Sequence, residues 1–231
     1  MTIFSILLFS SQQIILVVAP DINSSHAQLE CMEDDTVIFA PIEVNLGTNG
    51  LGMGLGAHDL TKNQGDILKY EGDKRAPIGI FELSAIFGYE ANEHYKLPYL
   101  HAEKNLICVD DSNSPFYNTI IKKESDVKSF EYMRREDEQY RLGIVVAHNL
   151  QQTPKRGSCI FLHVQKSPHA TTAGCTSMPY KNIKKIAHWL NKDKHPLLIQ
   201  IPKNRVQEII KLYPNLKNSK LLLHLSTRHK L

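Results

Sequence analysis

Phe161-Leu-His-Val-Gln-Lys-Ser-Pro-His-Ala-Thr-Thr-Ala-Gly-Cys-Thr-Ser-Met178 is the stretch on which the reading of this chain turns. The apolar run Ile160-Phe161-Leu162 reads as a strand that ends at His163, and Cys175 follows Gly174 in a small-residue turn just ahead of a helical pattern. Ser177 is the expected N-cap, Pro179 suits a first-turn position, and Ile183, Ile186, Ala187 and Leu190 recur at helical spacing. A thiol is a strong nucleophile at neutral pH only as thiolate, a state that a nearby imidazole or a helix N-terminus sustains. Cys175 is therefore the candidate nucleophile and His163 its base. The amides of Gly174 and Cys175 are the candidate oxyanion donors, because glycine lets the backbone turn tightly there. Two other readings use the same residues. Cys and His at this separation also occur as plain core residues, and His163, His169 and Cys175 are chemically suitable metal ligands. The metal reading lacks any CxxC, HxxxH or HExxH pair.

Working outward, short β-type segments dominate: Ile14–Val18, Val37–Phe39, Ile42–Leu46, Ile78–Leu83, Gly143–Ala147, Cys159–Val164 and Leu197–Ile201. Helical periodicity is confined to Asn182–Leu190 and Val206–Leu212. The fold class is predominantly β with a few peripheral α-helices. Gly47–Gly56 alternates glycine with other residues, yet no GK[ST] follows and no helix opens there, so it reads as a flexible loop and not a phosphate cradle.

With 231 residues and 42% hydrophobic content, the chain can bury a substantial core in one domain, taken here as residues 12–231. A net charge of +3, from 27 basic and 24 acidic residues, is too mild for a nucleic-acid-binding protein. Lys181, Lys184 and Lys185 read as the solvated side of the helix after Cys175. Residues 1–11 are apolar at the start, but no Lys or Arg precedes the run and no Ala-x-Ala site follows it, which makes a weak or truncated export signal. No apolar run is long enough for a membrane span. Of the four cysteines, Cys159 reads as a free core thiol and Cys31 and Cys108 as a pair able to bridge in an oxidising compartment.

The block from Gly157 to His163, followed by Thr172-Ala-Gly-Cys-Thr-Ser-Met178, resembles the active-site signature of the YkuD-type L,D-transpeptidases, which modify peptidoglycan. Tyr70-Glu-Gly-Asp-Lys-Arg-Ala-Pro-Ile-Gly-Ile-Phe81 resembles that family's "GD, small residue, PxGxF" segment, and Cys108-Val-Asp-Asp-Ser-Asn-Ser-Pro-Phe-Tyr-Asn118 its "VDD, S, YN" segment. Gly143-Ile-Val-Val-Ala-His-Asn149 is similar to the strand before the catalytic block. The similarity runs in order from about residue 12 to about residue 201. It implies a mixed sandwich or barrel-like β fold, no cofactor and no metal, and peptidoglycan stem peptides as partners. It also implies a location in the cell envelope, periplasmic or secreted. The implied chemistry is attack of Cys175 on a stem-peptide carbonyl to give a thioester, with His163 as base and the Val164 carbonyl orienting it. Resolution by an amine makes a cross-link, and resolution by water makes an L,D-carboxypeptidase. An inactive wall-binding module is the rival of another class. The chain departs from the commoner motif at Ala173 and at Thr176-Ser-Met178, where many members carry His or Ser and then Arg or Asn.

Other residues invite assignment and are read structurally. His148, at a strand end, reads as a surface residue. Lys74 and Arg75 sit in a turn shaped by Gly72, Pro77 and Gly79. Asp110, Asp111, Tyr117 and Asn118 read as a solvated or capping loop.

Overall fold

The computed structural model describes residues 11–58, 60–123 and 127–227, with only the backbone of 224–227. The export signal expected in the first residues lies outside the described residues, Ser11 excepted. In chain order the strands are β1 (Gln13–Ala19), β2 (His26–Glu33), β3 (Thr36–Asn45), β4 (Leu51–Met53), β5 (Ala76–Gly88), β6 (Tyr99–His101), β7 (Leu106–Val109), β8 (Ile120–Lys122), β9 (Phe130–Tyr132), β10 (Leu142–Val146), β11 (Phe161–Val164), β12 (Thr176–Met178) and β13 (Leu197–Pro202). The helices are α1 (Tyr180–Trp189), α2 (Val206–Leu212) and α3 (Lys220–Thr227).

Every residue of β1 is buried. An unbroken, β-branched run of this kind suits a strand covered on both faces, and β1 lies between β2 and β13. The sheet continues in the order β10-β11-β12-β3-β2-β1-β13-β5, and β5 returns to pair with β10, closing a barrel-like ring. β5 reaches both neighbours because it is long: Gly79–Glu82 pair with β13, and Leu83–Gly88 with β10. Between them Leu83 faces Val146 while Ala85 faces Val145, so Ser84 is an extra residue that reverses the in-out alternation. Thr176 Oγ1 donates to Gln200 Oε1 at 2.6 Å although β12 and β13 are not neighbours, so this bond crosses the inside of the ring. α1 packs Ile183, Ile186 and Ala187 into the core, and its Lys181, Lys184 and Lys185 are exposed, as the spacing predicts.

The outer face of the ring carries two covers. α3 lies against β2 and β3, with Leu221 and Leu222 buried. The small sheet β8-β7-β9 sits over β10 and β11, where Cys108 and Met133 join Phe87, Tyr140, Phe161 and Cys175 in one cluster. Gly143 makes this packing possible. A Cβ there would lie 2.1 Å from the tip of the Phe87 ring, which occupies the space opposite His163.

Three expectations need correction. The segments at 37–39 and 42–46 form one strand, β3, which runs through Pro41 because pairing skips from Leu29–Ile42 to Cys31–Phe39 at a bulge that spares the proline a ladder bond. Gly47–Gly56 is no flexible loop: Leu51–Met53 is buried and pairs in parallel with Ala76–Ile78. Cys159 is not a free core thiol, and Cys31 does not bridge Cys108. Cys108 is bonded to Cys159, and Cys31 is a free thiol buried in the core. The sequence placed Cys159 within a strand, but it stands just before β11 with φ 54°, which turns its side chain toward β7.

The bridge closes a loop with a sequence separation of 51 residues, for which chain-entropy reasoning gives about 4 kcal/mol. Cys108→Ser or Cys159→Ser should therefore lower stability by roughly 3–4 kcal/mol, well above the ~1 kcal/mol of an ordinary core Cys replacement. Urea titration of both single variants checks this; a loss below 1 kcal/mol would show that the bridge does not constrain the chain.

Candidate active site

β11 and β12 place the candidate residues. They pair in parallel with Leu162 opposite Thr176 and His163 opposite Ser177. Paired residues share a face and alternate ones recur on it. Phe161 and His163 thus face outward, and Leu162 and Val164 inward. Cys175 lies immediately before β12, beside Phe161. The Phe161 N–H donates to Cys175 Sγ at 3.4 Å, and the thiol donates to the Cys159 carbonyl at 3.5 Å. His163 and Cys175 are thus diagonal neighbours on the outer face, beneath β7–β9. No hydrogen bond joins them among the described residues.

The loop leading to Cys175 is held at several points. Thr172 bridges to Gly47, its N–H donating to Leu46 O and its carbonyl accepting from Thr48 N–H. Thr172 Oγ1 donates to Cys175 O at 2.6 Å and accepts the Gly174 N–H at 3.1 Å. Gly174 has φ 146°, and a Cβ there would sit 3.0 Å from the Arg75 carbonyl, so no larger residue fits without movement. That carbonyl also accepts from Lys69 Nζ at 2.8 Å, and Lys69 forms a buried ion pair with Asp73. The "GD" turn therefore serves as the wall of the Cys175 loop. Its Arg75 guanidinium is spent on Leu51 O, while Lys74 is exposed.

The helix expected to begin at Ser177 does not. Ser177 is a strand residue, the α1 N-cap is Pro179 without a side-chain cap, and a three-residue strand separates Cys175 from the helix. The reason is that Thr176–Met178 pair with β11 on one side, while Ser177 pairs with Asn45 of β3 on the other. The thiol accordingly lacks a helix N-terminus to favour thiolate. Burial, reinforced by the Glu131 carboxylate, pushes Cys175 up to about 12, against weaker help from the Phe161 amide, Lys69 and Arg135. Burial likewise pulls His163 down to about 4. Its Nδ1 lies 2.8 Å from the Val164 carbonyl, which can only accept, so Nδ1 carries the proton and Nε2 is a lone-pair base. The resting pair is a neutral thiol and a neutral imidazole.

Of the neighbours, Tyr140 and Glu131 were not singled out in the sequence. Tyr140 packs edge-on to His163 at 5.4 Å and to Phe161 at 5.5 Å, and its hydroxyl donates to Glu131 at 2.5 Å. Asn118 joins three segments: its amide donates to the carbonyls of His148 and Asn149, and its Oδ1 accepts the Cys159 N–H. Tyr117, read as part of a solvated loop, is buried and donates to Glu71, which also accepts from Ser158. Asp111 is a loop cap, accepting from Asn113 N–H, and Asp110 keeps one buried oxygen without a hydrogen-bond partner among the described residues. His148 is not a surface residue. It is 1% exposed, accepts Leu55 N–H at Nδ1 and holds the Arg156 carbonyl with Nε2, which fixes a neutral Nε2–H tautomer. His169 stands on an exposed loop against His26. Among the described residues no group of three His, Cys, Asp or Glu side chains could hold a metal ion.

A family model, the L,D-transpeptidase catalytic domain, matches residues 15–199. The chain belongs to that family. The L,D-transpeptidase family acts on peptidoglycan, and the mostly β, barrel-like architecture agrees with its fold. No curated protein and no solved structure matches the chain. Among the described residues no helix is long and apolar enough to cross a membrane.

Two outcomes follow from these charges. Iodoacetamide should label Cys175 slowly at pH 7, with the rate rising about tenfold per pH unit from 7 to 9; a plateau below pH 8, read by peptide mass spectrometry, would mean a resting thiolate. His148 and His163 each titrate near 4 when folded, against about 6.5 unfolded. Between those values the unfolded chain binds more protons, so their neutral-pH stability is lost as pH falls from about 6.5 toward 4, by about 2–3 kcal/mol each. Urea midpoints measured across this window should fall, and less steeply in His148→Gln.

Proposed function

We propose that this protein is an exported L,D-transpeptidase, a single catalytic domain over residues 12–231, that works through a Cys175 thioester with His163 as base. The observation that carries this reading is the shared outer face. A buried thiol lies diagonally across one strand pairing from an imidazole whose proton is fixed on Nδ1, leaving Nε2 as the base. A stem-peptide carbonyl entering the cleft meets Sγ, whose proton passes to His163 Nε2 as the S–C bond forms. The pair is thus charged only while substrate is present. The oxyanion is taken by the amides of Cys175 and Gly174; the latter must leave its resting bond to Thr172 Oγ1. Collapse breaks the C–N bond, and the imidazolium returns its proton to the departing D-amino acid. An acceptor amine then attacks the thioester, giving its proton to His163, and the thiol regains it as the amide forms.

The Cys108–Cys159 bond supports export, since structural disulfides persist in oxidising compartments. It also joins the cover sheet to the residue whose carbonyl accepts from the nucleophile.

Incubation with purified muropeptides tests this reading. Cross-linked dimers, with Cys175→Ala folded and inactive, are the expected result; trimmed monomers alone would make the protein an L,D-carboxypeptidase, and unaltered glycan would make it a binding module. A carbapenem should add to Cys175 in intact-mass spectra. Turnover retained by Cys175→Ala would overturn the mechanism.

A further inference from the structure

The alternation that turns His163 outward also turns out Ser177, Asn45 and His26, one on each successive strand from β11 to β2. Asn45 Nδ2 contacts Ser177 Oγ at 3.5 Å and Gln165 Oε1 at 3.4 Å, and Gln165 lies two residues beyond His163 on the same face. A trough of about 670 Å³ is lined by this amide pair together with His26, His169, Glu43 and Lys203. Leu221 of α3 contributes to its wall. Glu43 and Lys203 carry opposite charges, and neither forms an ion pair among the described residues.

We propose that this trough seats the peptide arm of the acyl acceptor, an extended peptide with a free carboxylate held by Lys203. The proposal rests on the transpeptidase reading for the identity of the peptide. Three strand spacings separate His163 from His26, roughly 14 Å, the span of about four extended residues. Asn45 and Gln165 present amide groups where a peptide backbone would pass, and such groups can both donate and accept. An acceptor stem also bears an amine, which Glu43 attracts along the path toward Cys175. A purely apolar or glycan ligand would leave that charged pair unused.

The test uses Cys175→Ala, which binds without turnover, with a stem tetrapeptide in its free-acid and C-terminal amide forms, followed by calorimetry. The free acid should bind about tenfold more tightly, and Lys203→Met added to the same chain should make the two forms equal. A preference that survives Lys203→Met, or no binding of either form at millimolar peptide, overturns the proposal. Iodoacetamide labelling of Cys175 in the single variant Lys203→Met confirms that the fold is intact. Muropeptide turnover separates the two claims. Cross-linking by Lys203→Met at the parental KM for acceptor would leave the transpeptidase reading standing and remove the trough. A carboxylate preference that depends on Lys203, in a chain that makes no thioester, would keep the trough and remove the reading.

Discussion

The parallel pairing of β11 with β12 is the constraint on which the site depends. Parallel neighbours usually require a helical crossover, yet here residues 165–175 make the return as an irregular loop. The loop succeeds because its ends are fixed elsewhere: Thr172 on the Gly47 strand end, and Gly174 against the Arg75 carbonyl. Lys69 and Asp73 in turn hold that carbonyl in place. Three short fragments far apart in sequence are therefore one mechanical unit, whose product is the single diagonal offset between a sulfur and an imidazole.

Desolvation dominates the electrostatics of that unit. One amide donor and two cations are set against near-complete burial and a nearby carboxylate, and burial wins at both partners. The result keeps both side chains neutral at neutral pH, which also protects the thiol from adventitious oxidation. Tyr140 lies at the junction of these effects, touching His163 with its ring and Glu131 with its hydroxyl.

The strands with continuous apolar runs, β1, β10 and β13, were legible in the sequence, as were α1 and α2, because burial on both faces or one stripe leaves a periodic trace. The short strands β4, β6–β9 and β12 were not. Three or four residues carry no period, and their pairing is decided by partners far along the chain. Ser177 shows the cost of reading locally: its neighbours match a helix start, but pairing on both sides claims it for a strand. Cys175 and His163, which the structure places as diagonal neighbours, were singled out through residue chemistry and motif order. Tyr140 and Glu131 were not, and the contacts of Asn118 were missed, since each acts on segments remote in sequence. The disulfide was missed because alternation along an assumed strand put Cys159 in the core, whereas its left-handed backbone aims it at β7.

The extra residue Ser84 has a consequence for how the chain can change length. On its β13 side β5 sends Phe81 into the ring, and on its β10 side it sends Phe87 out over Gly143, where the ring meets Phe161 and Tyr140. Were Ser84 to pair as an ordinary strand residue instead of being absorbed at the bulge, the last stretch of the strand would invert, turning Ile86 outward and Phe87 into the interior. Surface turns elsewhere tolerate insertion and deletion; a residue added to this strand without a bulge to absorb it would reverse its parity and take the Phe87 ring away from the cluster around Cys175.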